Sequence, residues 1–260
     1  MSTKWKFAVR HSVKSLFGFL RLLFSRPCFA MNLLGARWQY FRSRKFEGSI
    51  TTPKRFVIDT KDSLIAYWSI FVERELHDPR WAAAIRTANS PLAVDVGSNA
   101  GVFSHYVHCL NPQTEIIAFE PLPAMAKRIR EMKERTGAKM TCHEQALSRE
   151  SGEAWFESPH GVDGTSRFAS AGGNASKFRV SVTTLDEKLD NRRITVMKID
   201  VEGFELDVIA GGKQALARTD HVIIESEDAT HLAKVTKALG PDWLRSRLAA
   251  TDYLFSRKRD

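Results

Sequence analysis

Apolar and polar positions follow two alternating rhythms along most of this chain. Short apolar runs, typical of buried strands, occur at 92–96, 115–119, 139–142, 194–199 and 221–225. Between most of them, apolar residues recur every three or four positions, which predicts helices at 102–109, 123–135, 204–218 and 229–239. Strands that alternate with helices form βαβ units, so we expect an α/β fold: a mainly parallel sheet with helices on both faces.

Elements outside this series complete the predicted domain. Helical patterns at 64–74 and 81–87 precede the first strand of the series, and 251–256 predicts a last strand. The alternation stops between 148 and 193. There, two short predicted strands flank a stretch rich in glycine and serine, from Ser158 to Ser176. A segment of that length is usually functional or disordered, and we interpret it as a β-hairpin insertion that overhangs the active site.

Residues 5–24 have the pattern of an amphipathic helix, with apolar residues on one face and basic residues on the other. A basic helix with aromatic residues on its apolar face is typical of a membrane surface. Packing against its own domain or a second subunit is an alternative, and so is a cleaved signal peptide. The apolar run at 16–24 is too short to span a bilayer. Residues 31–57 show no clear periodicity, and we interpret them as a connector.

Charge separates this N-terminal segment from the rest. Residues 1–57 hold twelve of the 39 Lys and Arg residues but one of the 30 acidic residues, a net charge of +11, whereas 58–260 carry −2. We therefore expect a basic arm and connector at 1–57 that meets an acidic surface, and one domain at 58–260 that does not act on nucleic acid. Three cysteines without metal-ligand spacing indicate a reducing, cytoplasmic setting: Cys28, Cys109 and Cys142.

The most specific local feature is the turn Val94-Asp95-Val96-Gly97-Ser98-Asn99-Ala100-Gly101, which follows a predicted strand and opens a predicted helix. Gly97 and Gly101 allow the backbone to approach a ligand, to which the helix N-terminus offers free N–H groups. A dinucleotide fingerprint would read Gly-x-Gly-x-x-Gly, but Asn99 stands in place of the middle glycine. Asp95 would repel phosphates and suit a cationic ligand. The alternative is that Asp95 only caps the helix.

Glu120 ends the next predicted strand, 23 residues after Gly97. An acidic side chain at that strand end is placed to bind ribose hydroxyls. Recognition of ribose without pyrophosphate indicates S-adenosylmethionine, whose sulfonium and amino groups are positive. The missing fingerprint counts against the competing hypothesis of a nucleotide-dependent oxidoreductase.

Five blocks occur in an order that resembles the FkbM family of S-adenosylmethionine-dependent methyltransferases. They are the turn at 94–101, Ala118-Phe119-Glu120-Pro121, Ala146-Leu147-Ser148, Thr184-Leu185-Asp186 and Lys198-Ile199-Asp200-Val201-Glu202-Gly203-Phe204-Glu205. The resemblance covers roughly 90–226. It implies a class I methyltransferase (Rossmann-like) fold and O-methylation, usually of a sugar or polyketide hydroxyl. It also implies these cofactor-binding residues: Asp95, Gly97, Asn99, Gly101, Glu120, Pro121 and Ala146. Gln145, near the expected adenine end, departs from the smaller or apolar residues more usual in the family.

The carboxyl end of the strand at 194–199 carries the candidate catalytic groups. Asp200 follows that strand, Glu202 lies two residues on, and Glu225 closes the neighbouring predicted strand at the same rim. We expect Asp200 above all to act on the acceptor hydroxyl, and the three carboxylates together could hold a divalent ion. Glu202 is equally compatible with a cap on the following helix. Lys198 can pair with Asp200 and keep it ionised.

Three histidines stand alone in the sequence, which favours structural or exposed roles: His143, His160 and His221. His160 lies in the overhanging stretch with Thr165 and Ser166, and we interpret these three as candidate substrate contacts. Turn chemistry alone also accounts for Thr165 and Ser166.

Together these features predict a cytoplasmic O-methyltransferase that acts on a sugar in a glycan, a glycolipid or a secondary metabolite. Residues 5–24 would make a peripheral contact at the inner face of the membrane, where lipid-linked saccharides are acceptors. The alternative is a non-catalytic membrane-docking protein with a methyltransferase-like fold.

Overall fold

A computed structural model describes residues 16–43, 49–59, 61–158, 167–168, 176–226 and 228–258. The chain divides into two compact units, Met1–His77 and Asp78–Asp260. Residues 5–15 of the predicted N-terminal helix lie outside the described residues.

The described part of the first unit is helical apart from one short hairpin. Its elements are α1 (16–25), α2 (Pro27–Ser43), β1 (Ile50–Thr51), β2 (Val57–Ile58) and α3 (Lys61–Tyr67), which continues into a π-helix (Trp68–Glu73). Among the described residues, no helix is long and apolar enough to cross a bilayer. The interpretation of 31–57 as a connector is wrong, because α2 and the hairpin occupy most of it. Apolar residues lie on opposite faces of α2, so no single amphipathic period stands out in its sequence.

Aromatic rings and one buried acid hold the first unit together. Tyr67 stacks on Phe71 with ring centroids 4.3 Å apart. Trp68 Nε1 donates to Oε1 of the buried Glu73 at 2.8 Å. The guanidinium of Arg37, on α2, lies 4.5 Å from the centre of the Trp68 ring. One side of α2 is therefore fixed against the π-helix.

The second unit alternates strands and helices, as predicted. Its strands are β3 (Leu92–Val96), β4 (Glu115–Phe119), β5 (Met140–His143), β6 (Ala146–Leu147), β7 (Gly152–Ser158), β8 (Arg167–Phe168), β9 (Ser176–Thr183), β10 (Ile194–Ile199), β11 (Thr219–Glu225), β12 (Trp243–Arg247) and β13 (Asp252–Arg257). Its helices are α4 (Pro79–Thr87), α5 (Val102–Leu110), α6 (Pro123–Thr136), α7 (Leu185–Lys188), α8 (Glu205–Ala210), α9 (Lys213–Ala217) and α10 (Ala229–Leu239).

Seven strands form the central sheet in the order β12-β13-β11-β10-β3-β4-β5. The five strands from β11 to β5 are parallel, whereas β13 runs antiparallel to β11 and β12 antiparallel to β13. The predicted mainly parallel sheet is thus confirmed. The strand order reverses at β3, between β10 and β4, which is where open α/β sheets bind ligands. The register brings the ends of these three strands level, so Gly97, Glu120 and Asp200 follow at one edge.

A second sheet, in the order β6-β9-β7-β8, contains the predicted insertion. The strands β7 and β9 pair antiparallel along their whole length. Their inward residues Phe156, Val180 and Val182 pack with Ala146 in a small core of their own. The predicted hairpin is therefore confirmed, and it is tied to the main domain through the β6–β9 pairing.

Two elements differ from the expectation. The helix predicted at 204–218 is divided into α8 and α9 at Gly211 and Gly212, where a Cβ on Gly211 would lie 2.1 Å from the carbonyl oxygen of Ser148. The strand β12 was not predicted, because residues 243–247 form an edge strand of mixed polarity rather than an apolar run.

Candidate active site

The turn after β3 has the tight backbone that its glycines predict. Gly97, Asn99 and Gly101 have positive φ angles of 72°, 48° and 76°. The backbone N–H groups of Gly97 and Ser98 both donate to the carbonyl oxygen of Phe119, at 3.0 and 3.1 Å. A Cβ on Gly97 would lie 1.8 Å from the backbone oxygen of Asp200. The turn is therefore pressed between the ends of β4 and β10, and only glycine fits at its start.

We expect Gly97→Ala to lower the free energy of unfolding by about 3 kcal/mol or more, since it combines a strained φ with a backbone clash. Gly137→Ala is the matched control, because Gly137 has the same φ of 72° but nothing within 4 Å of its Cβ position. That control should cost about 1 kcal/mol. Urea denaturation measures both. Equal losses for the two variants would contradict the close approach to Asp200.

Glu120 is buried beside this turn. Its carboxylate accepts hydrogen bonds from the backbone N–H of Asn99 at 2.8 Å and of Leu122 at 3.0 Å. Burial raises the pKa of Glu120 to about 7, against the opposing effect of these two hydrogen bonds. The side chain therefore braces the turn, and near neutral pH it can either accept or donate a further hydrogen bond.

A cleft opens beside the turn at the carboxyl edge of the sheet. It encloses about 680 Å³, a volume that includes open solvent at its mouth. Its lining consists of Val96, Gly97, Asn99, Phe119, Glu120, Pro121, Leu122, Gln145, Ala146, Leu147, Phe156, Asp200, Val201 and Glu202. Five of the seven predicted cofactor residues are among them, whereas Asp95 and Gly101 are not.

Asp95 links the strand before the turn to the helix after it and is not part of the cleft lining. It is buried, and its Oδ2 accepts a hydrogen bond from Ser104 Oγ at 2.6 Å, which fastens β3 to α5. Burial raises the pKa of Asp95, although the charge of Lys198 and the bond from Ser104 oppose this. The helix α5 begins after Gly101, which has no side chain to cap it, and the backbone N–H of Ser104 in its first turn also hydrogen-bonds Asp95. This is the contact that the capping alternative for Asp95 predicts.

Three ionisable side chains meet at the ends of β10 and β11. Lys198 Nζ lies 2.7 Å from Asp200 Oδ2, as the sequence predicted, and the carboxyl of Glu225 hydrogen-bonds Asp200 from the neighbouring strand. Burial works against the ionisation of Asp200, but Lys198 and the bond from Glu225 outweigh it and hold its pKa below the usual value. Burial, reinforced by the negative charge of Asp200, raises the pKa of Glu225 to about 8. Near neutral pH, Asp200 is thus ionised and Glu225 is mostly protonated.

Glu202 and its neighbour Glu205 have different roles. Glu202 is exposed, lines the cleft and has a left-handed backbone with φ 53°. The buried Glu205 accepts from the backbone N–H groups of Val201 at 3.2 Å and Gly203 at 3.1 Å. The acid that organises the entry to α8 is therefore Glu205. A signal for this role is present in the sequence, because Glu205 occupies the first turn of the helix.

Other candidates lie away from the cleft lining or outside the described residues. His143 stacks on Phe119 with ring centroids 5.0 Å apart, and His221 Nδ1 lies 3.0 Å from Ser256 Oγ. His160, Thr165 and Ser166 lie outside the described residues. Within the described part of the chain, no three His, Cys, Asp or Glu side chains are grouped to hold a metal ion.

Sequence reasoning did not include Phe156 and Leu122 among the cleft residues. Phe156 could have been found, since it alternates with exposed residues along β7 and so faces inward. Gln145 lines the cleft, and its side-chain Nε2 donates to Oγ of Ser181, on β9, at 3.0 Å.

The cleft residues fit S-adenosylmethionine. The buried Oδ1 of Asn99 has no hydrogen-bond partner among the described residues. It is therefore able to accept a hydrogen bond from a ligand at the turn. Glu120 offers a second polar group for hydroxyls, and Phe119, Leu147 and Phe156 supply apolar walls. A ligand with hydroxyl and amino donors on a flat apolar base matches this set.

Comparisons with known proteins place this chain in a family of methyltransferases. Residues 95–244 match the family profile "Methyltransferase FkbM domain". The chain is 31% identical over 171 residues to the hexuronic acid methyltransferase AglP of Haloferax volcanii, a match that covers 64% of this chain and 70% of that protein. It is 28% identical over 157 residues to the 2-O-methyltransferase NoeI of Sinorhizobium fredii, with 53% and 64% covered. A solved SAM-dependent O-methyltransferase of Thermotoga maritima aligns at 10% identity and a TM-score of 0.43, covering 82% of this chain and 87% of that one.

Proposed function

Since the chain belongs to the FkbM family of S-adenosylmethionine-dependent methyltransferases, we propose that it methylates a hydroxyl group of a sugar. One observation carries the proposal: Glu120, suited to a nucleoside, and the carboxylate of Asp200 line the same cleft. The names of two relatives, a hexuronic acid methyltransferase and a 2-O-methyltransferase, support a saccharide acceptor.

In this proposal, some cleft residues bind the cofactor and another binds the acceptor hydroxyl. Asn99, Glu120, Pro121 and Ala146 would hold S-adenosylmethionine, which would supply a methyl group on a positively charged sulfur. Asp200 accepts a hydrogen bond from the acceptor hydroxyl and aligns its oxygen for in-line transfer. Most of the rate gain comes from that alignment, because Lys198 makes Asp200 a weak base.

Glu225 is a positioning residue in this scheme. Its protonated carboxyl donates to Asp200, while Thr251 Oγ1 donates to Glu225 Oε1 at 3.1 Å. This chain of hydrogen bonds leaves one side of Asp200 available to the acceptor. Glu202, exposed at the same cleft, is a second carboxylate within the acceptor region.

We further propose that the acceptor is a lipid-linked saccharide and that the protein acts at the cytoplasmic face of a membrane. The basic segment at 1–57 would bring the methyltransferase domain to its substrate. The support is the net charge of +11 in this segment.

Methyl-labelled S-adenosylmethionine, incubated with the protein and cell-envelope extracts, tests the reaction. We expect the label in a saccharide or glycolipid fraction, and none with the Asp200→Asn variant. Label in protein or nucleic acid, or no transfer to any fraction, would overturn the sugar acceptor.

We expect Glu120→Gln to weaken binding of S-adenosylhomocysteine about tenfold. The amide keeps one acceptor but presents an N–H to the second backbone donor, which disturbs the turn and removes a ribose contact. Calorimetry measures the affinity. Glu115→Gln is the matched control, because it changes the other end of the same strand, at an exposed pair with Arg192. An unchanged affinity in Glu120→Gln would remove Glu120 from the cofactor site.

A further inference from the structure

Exposed apolar side chains are concentrated in the first unit. Among the described residues, eight large apolar side chains are exposed, and six of them lie on α1 and α2. These six are Leu16, Phe17, Phe24, Met31, Leu34 and Trp38. Single exposed apolar residues are ordinary on a protein surface, but a cluster marks a place of contact.

The helix α2 is apolar on two opposite faces. Phe29, Leu33 and Ala36 are buried on one. At 100° per residue, Met31, Leu34 and Trp38 lie on the other, which we name the outer stripe. Gly35 falls beside this stripe, and nothing lies within 4 Å of its Cβ position. The inner face therefore accounts for packing within the unit, and the outer stripe is available to something else.

The helix α1 continues the pattern. Phe17 and Phe24 are seven residues apart, on one face, and are 68% and 85% exposed. Arg21 lies between them on nearly the same face, and its side chain is anchored by donating to the carbonyl oxygen of Phe71 at 3.2 Å. Aromatic and basic residues thus alternate on this surface, which is the composition of helices that lie in a lipid headgroup region.

We infer that the outer stripe of α2, together with Phe17 and Phe24 of α1, docks on an anionic lipid bilayer. Charge complementarity selects this occupant, because residues 1–57 carry a net charge of +11. A second copy of this chain would bring the same positive charge to the contact and be repelled by it. The inference rests on the proposed function for its purpose, which is access to a lipid-linked acceptor. It also extends the contact from the predicted 5–24 to α2.

The test measures binding of the full chain to vesicles without any acceptor. Phosphatidylcholine vesicles with about one third phosphatidylglycerol should bind the chain at least about tenfold more strongly than phosphatidylcholine alone, and added salt should weaken the binding. Trp38→Ala and Leu34→Glu should each reduce binding to the anionic vesicles about fivefold or more. Calorimetry with S-adenosylhomocysteine and thermal unfolding establish that both variants stay folded.

Two exposed apolar residues of the second unit provide matched controls. Trp155 is 55% exposed against 65% for Trp38, and Leu244 is 54% exposed against 39% for Leu34. Trp155→Ala and Leu244→Glu should leave vesicle binding unchanged.

Equal binding by stripe and control variants, or equal binding to both vesicle types, overturns the inference. Loss of self-association in Trp38→Ala without loss of vesicle binding also overturns it, in favour of a second copy. Methyl transfer to a soluble saccharide is scored separately, so the two proposals fail independently.

Discussion

The Asp200→Asn variant should lose about 10²–10⁴-fold in methyl-transfer rate while binding S-adenosylhomocysteine nearly as well as the unchanged protein. Asparagine has the size of aspartate, but it lacks the negative charge that accepts the acceptor's hydrogen bond and proton. The site around it is built to keep that charge, since Lys198 lies 2.7 Å away and Glu225 donates from the other side. The loss should therefore fall on turnover rather than on cofactor affinity.

Release of S-adenosylhomocysteine measures turnover, and calorimetry measures affinity. Glu202→Gln is the informative companion, because Glu202 lines the same cleft but is exposed on its left-handed turn. We expect its effect to stay within about tenfold. Full turnover in Asp200→Asn would remove Asp200 from the reaction, and a larger loss in Glu202→Gln would transfer the role to Glu202.

The Lys198→Met variant should lose about 3–5 kcal/mol of unfolding free energy at neutral pH. Methionine fills a similar volume, so the loss comes from charge and not from a cavity. Lys198 is buried between the carboxylates of Asp95 and Asp200, whose charges raise its pKa even though burial opposes its ionisation. Without this cation, two carboxylates remain near each other at a largely buried site.

The pH dependence of this loss has a definite sign. In the variant, the folded-state pKa of Asp95, already raised by burial, rises further, and that of Asp200 rises above its unfolded value near about 4. A raised carboxyl pKa destabilises the folded state wherever the unfolded carboxyl is ionised, and the penalty disappears below the unfolded pKa. The deficit should therefore shrink as the pH falls from about 8 towards about 4.

Urea denaturation across this pH range measures the effect. Lys127→Met is the control, because Lys127 forms an exposed pair with Glu131 at 3.9 Å, and it should cost less than about 0.5 kcal/mol at any pH. A loss in Lys198→Met that does not change with pH would mean that packing, not charge, is responsible.

The central sheet was predictable because its strands are buried on both faces. The runs 92–96, 115–119 and 194–199 are mostly apolar, with Asp95, Glu115 and Lys198 as the charged exceptions, and the structure reproduces their limits. The edge strand β12 was not predicted, because it is largely exposed and its sequence is not an apolar run. The helix α2 was not predicted, because apolar residues on two opposite faces obscure the helical period of its sequence. The break between α8 and α9 depends on the carbonyl of Ser148, which is distant in sequence.

The candidate site was predictable where local spacing determines it. Parallel strands end at one edge, so Gly97, Glu120 and Asp200 come together without further information. What sequence could not provide is the environment of each group. Asp95 is absent from the cleft lining, burial raises the pKa of Glu225, and Glu205 takes the backbone N–H groups that one of the two alternatives assigned to Glu202.

The antiparallel β13 lies between β11 and β12, although it follows both in sequence. During synthesis, β11 and β12 therefore leave the ribosome before the strand that joins them. Until residues 252–257 arrive, the growing sheet presents the unpaired backbone of β11, an apolar strand open to pairing with other chains. The strand β12 pairs only with β13, so the two strands add to β11 together as a hairpin, and the edge of β11 is open to aggregation until this hairpin forms.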